Sequence, residues 1–412
     1  MQDATDGAAD GASDGAADGA ADSAAHLRAE AVIDLRAVEH NTRLVLSAAR
    51  AVNPAAELMA VVKADGYGHG AEQVAAAALR AGATALGVAT PTEAMALIAA
   101  GHSSTADRPI VAWLWVPDED IAPAVAAGVQ LVVYSPAHLE AVTAVAASAP
   151  GGVALIHLKI DTGLGRGGAV PAAFDVLARA AAAAQQPDSR NGQVEVVGVM
   201  SHLACADEPG AASVPVQIAV FEAGCRTAAE AGLTVRWRHL ANTPGVLEWP
   251  GSVFDLVRCG IGLYGISPFE APHDKADRLR PVMTLRARVA LTKRVPAGHG
   301  VSYGLRYRTA TETTLALVPL GYADGIPRTA GPEARVLIAG RLRPIAGRIA
   351  MDQFVVDCGD DDISPGDEVL ILGPGAHGEP TAVNWADACG TIGYEIVTRI
   401  SSRVPRRYVG ST

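Results

Sequence analysis

One alternation constrains this chain more than any other feature. Eight short apolar runs lie at residues 58–63, 85–89, 110–115, 130–134, 154–161, 194–202, 235–241 and 253–258. Most are separated by alanine-rich segments with helical apolar spacing, such as 71–81, 92–100, 136–147, 171–184 and 215–231. An apolar run bounded by turn residues reads as a buried strand, and strand–helix repetition predicts a parallel sheet. Eight such units over about 230 residues fit a (β/α)8 TIM barrel. An open doubly wound sheet is the alternative; it needs no eighth unit and usually carries a glycine fingerprint after its first strand. A short strand at 31–35 and a helix at 36–52 precede the first unit.

After residue 266 the texture changes. A linker with prolines and charges, 267–281, leads into strand-like runs at 283–295, 313–320, 335–338, 341–345, 354–358 and 368–372. Gly, Asp and Pro cluster at 360–366 and 373–378, and one short helix is expected at 383–389. The pattern predicts a barrel over 27–266 and a β-rich domain over 267–412, with the strand at 31–35 available to pair with the later domain. Residues 1–26 repeat Asp-Gly-Ala-Ala in several variants. Such a composition cannot bury enough apolar surface to offset its ordering entropy, so disorder is expected there. The segment lacks the basic start and apolar run of an export signal. It holds six aspartates, and without them the net charge of −11 becomes about −5. A body so mildly acidic argues against nucleic-acid binding. No run approaches membrane-spanning length without charges. Five scattered cysteines, odd in number and without metal-type spacing, read as reduced thiols in a cytoplasmic protein.

The first barrel run ends in chemistry. It delivers Lys63 to a strand end, and Ala64-Asp65-Gly66-Tyr67-Gly68-His69-Gly70 follows. In parallel barrels the C-terminal strand ends carry the site. A lysine there is partly desolvated, which favours the neutral amine that serves as nucleophile or base. A lone lysine at a strand end is more often a salt-bridge partner. The crowding of glycines, a tyrosine and a histidine fits close approach of a ligand to backbone. This stretch resembles the pyridoxal-phosphate lysine motif of the alanine racemases.

Further blocks follow in that family's order, from residue 60 to 395. Lys159-Ile160-Asp161-Thr162-Gly163-Leu164-Gly165-Arg166 ends the fifth run. The resemblance implies that Arg166 holds the substrate carboxylate and the cofactor's phenolic oxygen. Lys159 matches a lysine carbamylated in many members. His202, ending the sixth run, matches a histidine beside the catalytic tyrosine. Asn242 and Thr243 end the seventh run, and Arg258-Cys259-Gly260-Ile261 ends the eighth. A hydroxyl from Thr243 and N–H groups from Gly260 and Ile261 suit a phosphate, which barrels often bind there. Arg258 is similar to the family's arginine on the pyridine nitrogen, with His239 behind it. An arginine does not surrender its proton, so that nitrogen stays unprotonated and the ring is a weaker electron sink. In the later domain, Tyr303 resembles the second catalytic base, Tyr322 and Met351 line the substrate side, and Tyr394 joins Tyr67 on the phosphate.

The family therefore implies alanine racemisation with pyridoxal 5'-phosphate. Lys63 would move the D-enantiomer's α-proton and Tyr303 the L-enantiomer's, because inversion needs a base on each face. An ordinary phenol titrates near 10, so Tyr303 is expected to lie low beside positive charge and His202. In the family the β domain of one subunit closes the barrel of the other, which implies a homodimer with shared sites. D-alanine supply for peptidoglycan is the role implied, and a catabolic role stays open. Two other readings remain. A pyridoxal-phosphate homeostasis protein would be a lone barrel, unlike this chain. A related decarboxylase would pair the pyridine nitrogen with an acid, unlike Arg258; racemases of broader specificity are often exported, and no export signal is read in this chain.

Overall fold

The computed structural model describes residues 27–147, 152–186, 193–331 and 333–410. The expected disorder of residues 1–26 lies outside them. The first strand, β1 (Ala29–Asp34), is followed by β2 (Glu57–Val61), β3 (Ala85–Val88), β4 (Ile110–Ala112), β5 (Gln130–Val133), β6 (Val153–Lys159), β7 (Gln193–Met200), β8 (Trp237–His239) and β9 (Leu256–Cys259). The strands β2 to β9 form one eight-stranded parallel sheet in the order β8-β7-β6-β5-β4-β3-β2-β9. Bonds from the Asp255 and Arg258 N–H groups to the carbonyls of Arg238 and Ala241 bring its two edges together. This is the eightfold barrel the alternation predicts.

Period-two alternation sorts the strand residues. Met59, Ala85, Val111, Val132, Trp237 and Leu256 form one cluster inside the barrel, while Leu58, Leu86, Ile110, Leu131 and Val257 join the larger core under the helices. The inward parity continues along each strand. It carries β2 from Met59 to Lys63, β6 from His157 to Lys159, β8 from Trp237 to His239 and β9 from Leu256 to Arg258. The covering helices start on local signals. Asp34 accepts from the Arg36 and Ala37 N–H groups at the head of the helix Leu35–Val52, and Thr90 and Glu93 form a capping box on Pro91–Ala99.

The β-rich part contains β10 (Met283–Arg288), β11 (Leu291–Val295), β12 (Gly300–Val301), β13 (Tyr307–Arg308), β14 (Thr313–Val318), β15 (Arg335–Ile338), β16 (Arg341–Pro344), β17 (Phe354–Asp357), β18 (Glu368–Leu372) and β19 (Arg406–Val409). One sheet runs β16-β15-β18-β10-β1-β19 and another runs β11-β14-β17. Strand β1 is antiparallel to β10 and parallel to β19, so it belongs to this sheet and not to the barrel. Its buried Glu30 receives Arg286 Nε at 2.7 Å and Arg407 Nε at 2.9 Å. Burial pushes that carboxyl up, but the two guanidinium groups more than offset it and hold it low.

Two expectations need correction. The run 283–295 is two strands in different sheets, because the chain changes partners in the middle. The Val289 N–H bonds to the Asp367 carbonyl and the Ala290 N–H to that of Leu317. A second helix, Gly393–Thr398, follows Ala382–Cys389. Its six residues are too few for helical periodicity to register. No helix among the described residues is long and apolar enough to cross a membrane.

Candidate active site

The barrel mouth opens on a cavity of about 320 Å³ lined by Lys63, Tyr67, Lys159, Arg166, His202, Asn242, Thr243, Arg258, Gly260, Ile261 and Tyr394, among others. These are the residues singled out for the barrel side, together with Tyr394 from the last helix.

Lys63 leaves the end of β2 through an unusual turn. Ala64, Asp65, Gly66 and Tyr67 have φ of 52, 53, 60 and 52°, a full left-handed turn of which three residues are not glycine. Left-handed geometry costs L-residues about 1 kcal/mol or more each, so the surroundings must impose it. Ala64 N–H donates to Glu93 Oε1 at 2.7 Å, and Ala71 N–H donates to Asp65 Oδ1 at 3.0 Å. His69 Nδ1 lies 3.1 and 2.9 Å from the Gly66 and Tyr67 carbonyls. Both are acceptors, so Nδ1 carries the proton. Arg406 Nη2 donates to the Gly68 carbonyl at 2.9 Å. Burial lowers the Lys63 amine, the Arg166 cation lowers it further and Glu93 opposes both.

The residues expected to take a phosphate meet between the ends of β8 and β9. Thr243 Oγ1 accepts from Gly262 N–H at 3.4 Å and is buried. A Cβ on Gly260 would run into Tyr67 Oη, so only glycine lets the tyrosine reach this corner. Tyr67 packs on Tyr264 with centroids 4.7 Å apart and lies 6.4 Å from the Tyr394 ring. Burial raises the phenols of Tyr67 and Tyr394 far above their ordinary value, so both present a neutral O–H. Asn242 caps the helix Thr243–Glu248 through its side-chain oxygen.

Arg258 is almost wholly buried. Nη1 donates to the His239 carbonyl at 2.7 Å, and Nη2 donates to the Ser201 and Leu240 carbonyls at 2.6 and 3.2 Å. Nη1 also lies 3.3 Å from His239 Nδ1, and Nη2 lies 3.3 Å from His202 Nδ1. These bonds all run from the terminal nitrogens, and the residue lines the cavity. Burial brings the guanidinium down only to about 10, so it stays charged near neutrality. Burial, with Arg258 and Arg166 nearby, brings the Lys159 amine down to about 8. Arg166 sits in an exposed loop tied down by Asp161, whose carboxylate accepts from Gly163 and Gly165 N–H. Burial first, then the surrounding cations, hold His202 neutral.

Within one chain Tyr303, Tyr322 and Met351 do not line this cavity. Tyr303 is 70% exposed, and the other two are exposed as well. Their blocks do meet one another. Ser302 Oγ donates to the Arg348 carbonyl at 2.6 Å, Tyr322 N–H bonds to the Ala350 carbonyl and Ala323 N–H to that of Met351. The expected contact between His202 and Tyr303 is therefore not made within the chain. Trp113 was missed by sequence reasoning. It lines the cavity, and Lys63 Nζ lies 6.0 Å from its ring centroid. Its signal was an aromatic at a strand end in a chain only 4% aromatic. His157 and Gln130 were missed too; both are polar interruptions of apolar strands, on the inward parity.

Two family models cover most of the chain. One described as "Alanine racemase, N-terminal domain" matches residues 33–268, and one described as "Alanine racemase, C-terminal domain" matches residues 282–408. An alanine racemase of Streptomyces coelicolor is 53% identical over 385 residues, covering 93% of this chain and 96% of that protein. The solved structure of an alanine racemase from Streptomyces coelicolor superimposes with a TM-score of 0.89 at 52% identity, covering 94% of this chain and 100% of that one. The structure of the enzyme from a D-cycloserine-producing Streptomyces lavendulae gives 0.87 at 50% identity, covering 93% of this chain and 98% of the other.

Proposed function

The chain belongs to the alanine racemase family and is an amino-acid racemase; from that premise we propose that it interconverts L- and D-alanine with pyridoxal 5'-phosphate by a two-base route through Lys63 and Tyr303. The observation that carries this reading is the convergence on one cavity of the partly buried Lys63, the Thr243, Gly260 and Ile261 corner and the buried Arg258 guanidinium. The residues fit the cofactor. Lys63 would hold its carbonyl carbon. Thr243, the N–H groups of Gly260 and Ile261, Tyr67 and Tyr394 would take its phosphate, with Asn242 shaping the rim. Arg258 Nε–H would face its ring nitrogen. When bound, the cofactor withdraws electron density from the substrate and makes the α-proton acidic.

The chain's own groups do the rest. Arg166, at the open edge of the cavity, takes the substrate carboxylate as a charge-assisted pair. Lys63 is held as a readily neutral amine by burial and by Arg166, and it takes or returns the proton on one face. Tyr303 serves the other face from the β-rich part of a second copy, with Tyr322 and Met351 beside it. Support for that arrangement lies in the exposed cluster of these three blocks and in the exposed Leu114 and Val116 beyond β4. The two surfaces would meet in a homodimer with shared sites. The product is D-alanine for peptidoglycan. The free state of all five cysteines suits the cytoplasm as the location.

The test is L-alanine in deuterated water, following optical rotation and α-deuterium together. Decay of the rotation to zero with deuterium at the α-carbon is expected. Tyr303→Phe should lower turnover by roughly two to four orders of magnitude while the cofactor stays bound. Wild-type turnover in that variant would sink the two-base assignment.

A further inference from the structure

Inside the barrel, below the mouth, lies a row of polar side chains of which two, Gln130 and His157, have no role in the proposed reaction. Gln130 on β5, His157 on β6 and His239 on β8 are buried, and the row ends at Arg258 on β9. Gln130 Oε1 lies 2.8 Å from His157 Nε2, and His157 Nδ1 lies 3.0 Å from His239 Nε2. His239 Nδ1 and Arg258 Nη1 are 3.3 Å apart, as are Arg258 Nη2 and His202 Nδ1.

The direction of every bond follows from one end. A guanidinium has donors only, so His239 Nδ1 and His202 Nδ1 are acceptors. A neutral imidazole that accepts at Nδ1 carries its proton on Nε2. His239 Nε2–H therefore donates to His157 Nδ1. His157 is then Nε2–H as well and donates to the Gln130 amide oxygen, which settles the orientation of that amide. The ring N–H of His239 and that of His157 each meet an acceptor. A second proton on either histidine would set N–H against N–H somewhere along the row.

The barrel is built to admit this row. Strand β7 gains a residue where the register jumps from Ile156↔Val196 to His157↔Gly198. A Cβ on Gly198 would run into His157 Nδ1. The His157 ring also stacks on Trp237, with centroids 6.1 Å apart and planes 13° apart. A bulge, a glycine and an aromatic platform thus hold an imidazole in a lumen that Met59, Val111, Val132 and Leu256 also fill.

We propose that His157 and Gln130 are positioning residues for Arg258. They hold His239 in the Nε2–H tautomer, and its Nδ1 lone pair keeps the guanidinium oriented toward the cofactor's ring nitrogen. The last step rests on the reading given above; the tautomers do not. The groups facing His157 are Gln130, His239, Trp237 and the backbone at Gly198, with Arg258 beyond them.

Neutron diffraction from deuterium-exchanged crystals of the holoenzyme tests the row directly. Deuterons are expected on Nε2 of His157 and His239 and absent from their Nδ1 atoms. A deuteron on His239 Nδ1 overturns the proposal. Two variants test the consequence. In Gln130→Glu the new carboxylate raises the pKa of His157. As pH falls, His157 gains a proton, donates from Nδ1, and forces His239 to Nδ1–H against Arg258. That variant should show a reversible acid-side shift in the bound cofactor's absorption and a fall of roughly ten- to hundredfold in kcat/KM. Gln130→Leu removes the terminal acceptor without adding a proton, so its effect should be the same at all pH values. Matching pH profiles and spectra in the two variants would overturn the proposal. If wild-type protein failed to racemise alanine while the deuterons lay as expected, the functional reading would fall and the tautomer row would stand.

Discussion

Burial keeps four histidines neutral, and that has a cost in acid. His69 is brought down to about 4 and His157 to about 3, while His202 and His239 lie well below their ordinary value. In each case the unfolded chain binds a proton near 6.5 and the folded chain resists it. The stability these neutral groups contribute is full above that value and is lost as pH falls toward the folded pKa. For His69, fully buried, the window from 6.5 down to about 4 corresponds to roughly 3 kcal/mol. His69→Asn keeps an N–H for the Gly66 and Tyr67 carbonyls but cannot titrate. The fall in its urea midpoint between pH 7 and 4 should be shallower than in the wild type; parallel curves would contradict this. At this scale the lysines, the arginines, His202 and His239 could be read from residue type and position, and His157 could not. Their tautomers and charge states could not, since both depend on neighbours distant in sequence.

At the scale of elements, the site depends on strand parity and on one strained turn. Parity places His157 and Lys159, Trp237 and His239, and Leu256 and Arg258 on the same side of their strands. Alternation within the apolar runs carries that information. The left-handed turn after Lys63 is different, because no local rule makes Ala64 and Asp65 adopt positive φ. It is imposed by Glu93, His69, Arg406 and the helix Gly393–Thr398. At Gly68 the φ is +78°, and a Cβ would meet the Val397 carbonyl. Gly101 has φ of +94° with nothing within 4 Å of its would-be Cβ. Gly101→Ala should cost only about 1 kcal/mol, from the backbone alone. Gly68→Ala should cost roughly 3 kcal/mol or more and weaken cofactor binding. Thermal unfolding with and without pyridoxal phosphate checks the contrast; equal losses would mean that the helix does not press on the turn.

The whole molecule unites an eightfold barrel whose mouth holds the Lys63 cavity with a β-rich part that carries Tyr303, Tyr322 and Met351. Strand β1 precedes the barrel in sequence and pairs with β10 and β19, which follow it, so one sheet joins the segments on either side of the barrel in the chain. Tyr303, Tyr322 and Met351 are exposed within a single copy. If a partner's Tyr303 completes each barrel, Lys63→Ala and Tyr303→Phe should complement each other. Random reassociation makes half of the dimers mixed, each with one intact site, so about a quarter of wild-type activity should return. No recovery on mixing would mean that the two bases act from one chain. Light scattering at assay concentration should meanwhile give the mass of a dimer.

The sequence by itself determined the eightfold barrel, the β-rich partner and the strand ends that carry Lys63, Lys159, His202, Thr243 and Arg258. Those features are written locally, in hydrophobic period, in glycine spacing and in residue chemistry. Only the tertiary structure decided the partner change at Val289, the left-handed turn, the seating of His157 opposite Gly198 and the gap between Tyr303 and Lys63. Each of these depends on which atoms meet after the chain has closed on itself. Hydrogen-bond partners, steric room and burial are properties of pairs far apart in sequence, and no window of residues encodes them.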